Sequence, residues 1–246
     1  MTGGASGLGR AVSSDLAAHG AYVILADVDR DAGEELSKAL HPNAIFIDTD
    51  VTDPVNIDRA LHAGKTHFGG FHGSVNCAGI LVSARMLRKD GGLFDSEQFR
   101  ACLEVNLFGT FNSIRSAVSV LSENSPNPAG ERGVIVNTAS IAAFEGQVGQ
   151  AAYAAAKAGI IGMALPLARE LGAFGIRVMT VAPGIFDTAL FAGLSDALRT
   201  ELEQQVPFPK RLGKPEEFAM LVRHIIENPM LNGGVIRLDG GLRLNY

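Results

Sequence analysis

Tryptophan, long apolar runs and long basic runs are all missing from this 246-residue chain, and only two cysteines are present. Cys77 and Cys102 give neither a disulfide framework nor metal-ligand spacing, so we expect no metal and a reducing, cytoplasmic compartment. No apolar run approaches the ~18 residues that span a bilayer, and no basic-then-apolar signal segment opens the chain. A net charge of −5 argues against a nucleic-acid footprint. We therefore expect neither a membrane nor a nucleic-acid partner.

What is present indicates one large α/β domain. Apolar residues make up 47 % of the chain and charged residues 19 %, a balance that suits a well-buried core rather than disorder. A chain of this length can bury such a core in a single unit, so we predict one domain over residues 1–246.

The chain opens with a glycine-rich turn, TGGASGLG at residues 2–9, which leads into an amphipathic helix predicted over 10–19. Such glycines let the backbone approach a pyrophosphate closely, and the helix N-terminus offers free N–H groups. The spacing is looser than the G-x-G-x-x-G fingerprint, so an ordinary loop is an equal alternative. The candidate cofactor residues of this turn are Gly3, Ser6, Gly7, Leu8 and Gly9.

The segment that follows strengthens the prediction of a dinucleotide-binding site. An apolar, β-branched run over 21–26 predicts a strand, and Asp27 follows it. An acid about 20 residues after the glycine turn can accept hydrogen bonds from an adenosine ribose and would repel a 2′-phosphate. Arg30 is the nearest basic alternative, although a solvated residue at a helix start is its more ordinary role. The pattern favours NAD over NADP.

Helices and strands then alternate, with helices predicted over 31–40 and 55–68 and strands over 44–47 and 73–77. This alternation predicts a parallel, doubly wound sheet whose ligands bind at the carboxyl ends of the strands. Turn chemistry alone is the alternative role for residues at such ends. The candidates there are Asp50, Val51, Asn76, Cys77, Ala78 and Gly79.

Two features follow the strand predicted over 73–77. Residues 80–95 form a longer polar connection than a tight α/β unit needs. Its Arg85, Arg88 and Lys89 are either solvated surface or a contact for the phosphates of a coenzyme A ester. Residues 97–121 predict one long helix with Asn106 in its middle, where the polar side chain would hold a water or a carbonyl in place of a regular helix bond.

The strongest chemical pattern is a Tyr and a Lys four residues apart, Tyr153 and Lys157, preceded by Ser140. The apolar run over 133–139 predicts a buried strand that ends at the Ser, and the Ala-rich segment predicts a helix that carries the Tyr and Lys on one face. A phenol is a poor acid/base at neutral pH unless a nearby positive charge favours phenolate. The trio therefore suits proton transfer to or from an alcohol or carbonyl.

The last third of the sequence predicts two further strands, a substrate lid and a final helix. A strand over 176–181 leads to Pro183-Gly184, Ile185 and Thr188, and residues 187–206 predict a helix within a substrate lid over 185–210. A capped helix over 215–227 and a strand over 235–238 close the chain.

With these residues in hand, the chain resembles the short-chain dehydrogenase/reductase family over nearly its whole length. The resemblance implies a Rossmann-type fold with about seven parallel strands and helices on both faces, usually a homotetramer. The motifs that carry it are TGGASGLG at 2–9, Asp27, Asp50-Val51, NCAG at 76–79, Asn106 with Gly109, Ser140, Tyr153 with Lys157, and Pro183-Gly184 with Thr188.

The resemblance also implies the catalytic roles. Tyr153 would be the acid/base and Ser140 would hold the substrate oxygen. Lys157 would lower the pKa of the phenol and bind the nicotinamide ribose, and Asn106 would position a water in a proton relay. Pro183, Gly184, Ile185 and Thr188 would contact the cofactor.

The match looks closer still to a branch that oxidises short-chain 3-hydroxyacyl-CoA esters with NAD. The stretches NTASIAAFEGQVGQAAY and QVPFPKRLG and an insertion at 81–95 carry this likeness. Gln147 and Gln150 would contact the acyl chain or thioester, with loop hydrogen bonding as their ordinary alternative. Reduction of 3-oxoacyl thioesters on acyl carrier protein, oxidation of hydroxysteroids, and a non-catalytic NAD-binding scaffold are the rival functions.

One departure concerns the start of the chain. Family members carry a strand before the Thr-Gly turn in the middle of the sheet, whereas this sequence starts at Met1-Thr2. We therefore expect the first strand to be missing and its two neighbours to lack backbone partners. A targeting segment lost with it would place the protein in the mitochondrial matrix instead of the cytoplasm.

Overall fold

The computed structural model describes residues 1–188 and 195–244, and it contains the parallel sheet that the sequence predicts. Its six described strands are β1 (Val23–Asp27), β2 (Ala44–Asp48), β3 (Gly73–Asn76), β4 (Gly133–Thr138), β5 (Ile176–Pro183) and β6 (Val235–Leu238). β1 pairs with β2, and β3, β4, β5 and β6 pair in that order, all in parallel. Every strand lies within about two residues of its predicted position.

Only Met1 and Thr2 lie between β1 and β3, at the centre of the sheet. Thr2 forms isolated parallel bridges with Ala26 on one side and Asn76 on the other. Met1 O accepts a hydrogen bond from the N–H of Ala26 at 2.9 Å, and Thr2 N–H donates to Val75 O at 3.1 Å. β1–β2 and the four other strands thus meet through these two residues. The expectation that β1 and β3 lack backbone partners is wrong at this point, because both strands form hydrogen bonds with Met1 or Thr2.

The central strands are buried on both faces, as expected where helices cover both sides of a parallel sheet. All six residues of β4 are buried, and alternate ones point to opposite layers. Val134 and Val136 pack in the layer with Val222, whereas Ile135 packs in the layer with Ile114. Hydrophobic burial on both sides therefore fixes the register that brings the strand ends together.

The described helices form the two outer layers. One layer holds α1 (Gly7–Ala18) and α8 (Pro215–Glu227), which pack against each other, and the other holds α3 (Pro54–Phe68), α5 (Gly109–Leu121) and α6 (Ala151–Gly172). The remaining described helices are α2 (Arg30–Ala39), α4 (Ser96–Leu103) and α7 (Asp196–Gln205). This arrangement is the doubly wound α/β fold that the sequence predicts.

The predicted single helix over 97–121 is interrupted. It consists of α4, a π-helical segment (Glu104–Phe108) and α5. Asn106 lies in the π-helical segment, and its Nδ2 donates to the carbonyls of Cys102 and Ile80, each at 2.9 Å. The amide therefore does hold carbonyls at this point, and π-bulges of this kind are frequent at functional sites.

The two predicted loops around the cavity are partly regular. Within the connection over 80–95, Leu87 and Leu93 form an isolated antiparallel bridge, and the N–H of Phe94 donates to Met86 O at 3.0 Å. The predicted lid helix over 187–206 is shorter, because α7 begins at Asp196. The part of the lid at 189–194 lies outside the described residues.

One described helix, α6, is long and apolar enough to cross a membrane when only length and composition are counted. Its buried residues include Ala152, Ile160 and Ala168 as well as Lys157. α6 packs along β5 through these buried residues, whereas Leu165 on the helix is 46 % exposed.

Candidate active site

A cavity of about 1020 Å³ lies at the carboxyl ends of the strands, which is where a doubly wound sheet binds its ligands. It is lined by every predicted catalytic and cofactor residue except Asn76 and by both predicted substrate amides, whereas Arg85, Arg88 and Lys89, the candidate contact for coenzyme A phosphates, do not line it. The predicted residues that line it are Gly3, Ser6, Gly7, Leu8, Gly9, Asp27, Asp50, Val51, Cys77, Ala78, Gly79, Asn106, Ser140, Gln147, Gln150, Tyr153, Lys157, Pro183, Gly184, Ile185 and Thr188. Among the described residues, no group of three or more His, Cys, Asp or Glu could hold a metal ion.

The glycine turn forms one wall of the cavity and fits a pyrophosphate. Ser6 is the N-cap of α1, yet its side chain makes no capping bond, and no acidic residue lies in the first turn of the helix. The N-terminal N–H groups and their partial positive charge are therefore available to an anion. A Cβ on Gly9 would lie 1.9 Å from Gly3 O, so this fold of the turn requires glycine there.

Asp27 ends β1 beside this turn. Its Oδ2 accepts a hydrogen bond from the N–H of Ala5 at 2.9 Å, and its Oδ1 accepts one from the N–H of Asp29 at 3.1 Å. These bonds fix the orientation of a carboxylate whose oxygens can each accept further bonds. Arg30, the nearest basic alternative, lies in an ion pair with Asp48 at 2.8 Å.

Asp50 and Val51 follow β2 on the same side of the cavity. The Asp50 carboxylate accepts hydrogen bonds from both the N–H and the hydroxyl of Thr52, at 2.9 and 2.8 Å. Val51 is buried, and its carbonyl accepts a bond from the amide of Asn112 at 3.1 Å. Local hydrogen bonds thus fix this wall. Asp50 both stabilises its turn, the alternative role considered for it, and lines the cavity.

Ser140, Tyr153 and Lys157 meet in the wall of the cavity formed by the end of β4 and the start of α6. Ser140 follows β4, where its Oγ accepts a bond from the N–H of Ala142 at 3.1 Å. Tyr153 and Lys157 occupy the first two turns of α6. The Nζ of Lys157 lies 5.6 Å from the centre of the Tyr153 ring and donates to Thr138 O at 3.0 Å. The helix and the strand end therefore place all three groups as predicted from their spacing.

Burial shifts the pKa values of both Tyr153 and Lys157 on α6. Lys157 is only 4 % exposed, and desolvation lowers the pKa of its ammonium to about 8. Burial also raises the pKa of Tyr153, while a hydrogen bond with Ser140 lowers it and the thiol of Cys102 raises it. The implied lowering of the Tyr153 pKa by Lys157 stays a prediction.

Asn106 and Gly79 complete this end of the cavity. Asn106 is fully buried, and its Oδ1 has no hydrogen-bond partner among the described residues. A Cβ at Gly79 would lie 2.6 Å from that Oδ1 and 3.5 Å from the Nζ of Lys157. A side chain at position 79 would therefore collide with the Asn106 amide, so the close approach of the end of β3 to the π-helical segment requires glycine there.

The predicted substrate amides lie on the segment between Ser140 and α6. The Oε1 of Gln150 accepts a bond from the N–H of Gln147 at 3.1 Å, so loop hydrogen bonding is part of their role. Sequence reasoning did not single out several other lining residues: Thr138, Leu198, Leu202, Gln205 and Leu244. Thr138 precedes Ser140 at a strand end, a position that could have flagged it, whereas Leu244 belongs to no motif.

Asn76 is the one predicted cofactor residue that the structure keeps away from the cavity. It is 2 % exposed, and its Nδ2 donates to Asn137 Oδ1 at 2.9 Å. Its own Oδ1 accepts a bond from the hydroxyl of Ser74 at 3.0 Å. Since parallel strands alternate their side chains, Asn76 points into the sheet layer while Cys77 faces the site. We correct its role to bonding between β3 and β4.

The fold and the site define a dehydrogenase of the short-chain type, and comparison with known proteins agrees. The family model described as short chain dehydrogenase matches residues 1–199. Together with full-length relatives about half identical to it, this shows that the chain belongs to that family.

Two curated relatives carry the name 3-hydroxyacyl-CoA dehydrogenase type-2. The protein from Homo sapiens is 51 % identical over 99 % of this chain and 94 % of its own length. The protein from Drosophila melanogaster is 48 % identical over 99 % of this chain and 96 % of its own length. A crystal structure of the Mycobacterium avium protein of the same name matches with a TM-score of 0.96 and 39 % identity, over 99 % of this chain and 95 % of that one.

The buried ammonium of Lys157 predicts a stability that depends on pH. In the folded chain Lys157 loses its proton near pH 8, whereas the unfolded chain keeps it until about 10.5. The unfolded state binds more protons in that window, so stability rises with pH there. Burial of the charge thus costs ~3 kcal/mol at neutral pH. Relative to Lys157→Met, the wild-type protein should gain about that amount between pH 7 and about pH 10.

Urea unfolding of both proteins at the two pH values measures this gain. Lys38→Met, which replaces an exposed lysine on α2, is the matched control. A difference between wild type and Lys157→Met that does not change with pH would contradict the buried-charge assignment.

Proposed function

We propose that this chain catalyses the reversible, NAD-dependent oxidation of 3-hydroxyacyl-CoA esters to 3-oxoacyl-CoA esters. The observation that carries the proposal is the joint placement of Ser140, Tyr153 and Lys157 in a cavity that the glycine turn and Asp27 also line. Relatives that share about half of its residues along nearly the whole chain carry the name of a 3-hydroxyacyl-CoA dehydrogenase.

The proton transfer is assigned to residues of this chain. Ser140 donates a hydrogen bond to the substrate oxygen and holds it next to Tyr153. Tyr153, as phenolate, removes the proton from the 3-hydroxyl group, and in the reverse reaction it returns that proton to the carbonyl oxygen. Lys157 stabilises the phenolate electrostatically in a site shielded from water, where a fixed charge acts strongly. Asn106 positions a water through which the proton is relayed beyond Lys157.

NAD supplies the acceptor for the hydride that leaves C3 of the substrate. The glycine turn and the uncapped N-terminus of α1 suit its pyrophosphate, and the Asp27 carboxylate suits an adenosine ribose. Arg30, the nearest basic alternative, is paired with Asp48 at 2.8 Å, so its positive charge is partly neutralised where it would otherwise favour a 2′-phosphate. These contacts favour NAD over NADP.

The acyl-CoA assignment has its own support. Apolar side chains line the substrate end of the cavity together with the two amides Gln147 and Gln150, a combination that suits a short acyl chain and a thioester. Ser83 of the 81–95 segment also lines the cavity, and Arg85 and Lys89 follow it in the chain. Their positive charge would attract the phosphates of coenzyme A.

A homotetramer belongs to the same proposal. Three apolar side chains are exposed on neighbouring helices. Phe108 of the π-helical segment is 50 % exposed, Phe111 of α5 is 44 % exposed, and Leu165 of α6 is 46 % exposed. Small residues on the exposed face of α6, among them Ala155 and Ala158, would let helices of a second copy approach closely. An apolar helical surface of this kind is typical of a homo-oligomer contact.

The direct test is the reduction of acetoacetyl-CoA with NADH, followed by absorbance, in wild type and in Tyr153→Phe. Wild type should turn over with NADH. Tyr153→Phe removes the acid/base and little volume, so turnover should fall by at least ~10² while NADH binding is unchanged. Tyr22→Phe is the matched control, because Tyr22 is 61 % exposed and stacks on Phe68 far from the chemistry.

Retained turnover in Tyr153→Phe would contradict the proton-transfer role. A silent wild type that still binds NADH would contradict the acyl-CoA substrate and leave the cofactor assignment standing. Rapid turnover with NADPH instead of NADH would favour the 3-oxoacyl reductase alternative.

A second prediction concerns cofactor choice. Asp27→Asn keeps the shape of the side chain and an oxygen for the N–H of Ala5 but removes the negative charge. The preference for NADH over NADPH, measured as the ratio of kcat/KM values, should fall at least ~10-fold, because a like-charge repulsion worth several kcal/mol is lost. Asp31→Asn, on the exposed first turn of α2, serves as the control. An unchanged ratio would show that Asp27 does not select the cofactor.

A further inference from the structure

A cluster of four charged residues lies behind the substrate end of the cavity. Its centre is Arg237 on β6, which does not line the cavity. Its two terminal nitrogens donate to the two carboxylate oxygens of Glu145, at 2.7 and 2.9 Å. Its Nε donates to Asp239 at 2.7 Å, and one terminal nitrogen also donates to Leu242 O at 3.0 Å. Arg243 contacts the same two carboxylates.

The Arg237–Glu145 pair differs from an ordinary surface ion pair. The side chains are 22 and 25 % exposed, and the Asp239 side chain is 8 % exposed. A two-pronged contact between a planar guanidinium and a carboxylate is geometrically specific as well as strong. Arg237 also lies 5.0 Å from the centre of the Phe144 ring, which restricts the guanidinium from its face.

The pair joins two walls of the cavity. Glu145 belongs to the segment between Ser140 and Gln150, which lines the substrate end. Leu242 belongs to the C-terminal segment, where Leu244 also lines the cavity. In the core, Leu242 is fully buried against Ile141 and Val206, so the two walls touch there as well. The Arg237 guanidinium therefore forms hydrogen bonds with both walls, through the Glu145 carboxylate and the Leu242 carbonyl. Apolar contacts of Leu242 join the same two walls in the core.

We propose that Arg237 is a positioning residue that sets the affinity for the acyl substrate by fixing the 141–150 segment against the C-terminal segment. This role rests on the proposed function for its substrate. Arg237 touches no reacting atom, although β6 pairs with β5 beside Pro183, and Asp239 packs against Gly184 of the predicted cofactor wall. Loss of the pair therefore affects recognition of the acyl substrate more strongly than cofactor binding.

The kinetic test compares Arg237→Met and Glu145→Gln with wild type in the reduction of acetoacetyl-CoA by NADH. A loosened wall loses contacts with the bound acyl substrate, so kcat/KM for the acyl substrate should fall by at least ~10-fold, mainly through KM, with a smaller change in KM for NADH. Arg237→Lys, which keeps the charge but not the two-pronged contact, should be intermediate. Glu145→Gln is the milder variant, and it decides the matter if Arg237→Met does not fold.

Arg223→Met is the matched control. Arg223 pairs with Asp15 at 3.0 Å, and the two side chains are 27 and 20 % exposed, close to the values for Arg237 and Glu145. That pair joins α8 to α1 away from the substrate end. If Arg237→Met and Arg223→Met have the same effect on KM for acetoacetyl-CoA, the pair has only a general structural role and the proposal is overturned.

Hydrogen exchange provides a readout that does not depend on the substrate. Backbone amides at 141–150 and 240–244 should exchange faster in Arg237→Met than in Arg223→Met, because the segments are no longer fastened to each other. A wild type that does not reduce acetoacetyl-CoA would contradict the proposed function alone. Unchanged exchange in these two segments would overturn the positioning role, whatever the substrate.

Discussion

The burial of one positive charge is the constraint on which the site depends. Lys157 is held on α6 against the carbonyl of Thr138 at the end of β4, and desolvation lowers the pKa of its ammonium to about 8. The fold keeps this group at a cost, because a leucine or methionine there would be easier to bury. Such a cost is expected where a charge serves chemistry rather than stability. Gly79 belongs to the same constraint, since a side chain there would collide with the amide of Asn106 next to the ammonium.

Much of the fold and the reaction end of the site could be predicted because their determinants are local. The apolar run that became β4 is fully buried, and residues four apart on a helix must share a face, so Ser140, Tyr153 and Lys157 meet as expected. Asp27 could be assigned for the same reason, since it lies at the end of a predicted strand, and the glycine turn could be assigned because it leads directly into a predicted helix. The family match and the structural likeness confirm the fold and the class of enzyme. The compartment and the homotetramer stay predictions.

The features that sequence reasoning missed depend on contacts between distant segments. Asn76 looked like its cavity-lining neighbours, but side-chain alternation along β3 turns it toward Asn137. The expected contact of the Asn106 amide with a carbonyl is present, but the π-helical geometry around it was not predicted, because one of the two carbonyls comes from Ile80 in a separate segment. Arg237 and Glu145 are 92 residues apart and belong to no motif, so their two-pronged contact appears only once β6 and the loop after β4 lie side by side.

The central claim is that Lys157 makes the phenol of Tyr153 acidic enough to exchange a proton near neutral pH. The most direct measurement is a tyrosinate absorbance titration with NAD present, taken as the difference between wild type and Tyr153→Phe, and repeated in a Lys157→Met background. Our account predicts that Tyr153 titrates at a distinctly lower pH when Lys157 is present. An equal pKa in the two backgrounds would contradict it, and the catalytic role of Lys157 would then reduce to binding and orientation.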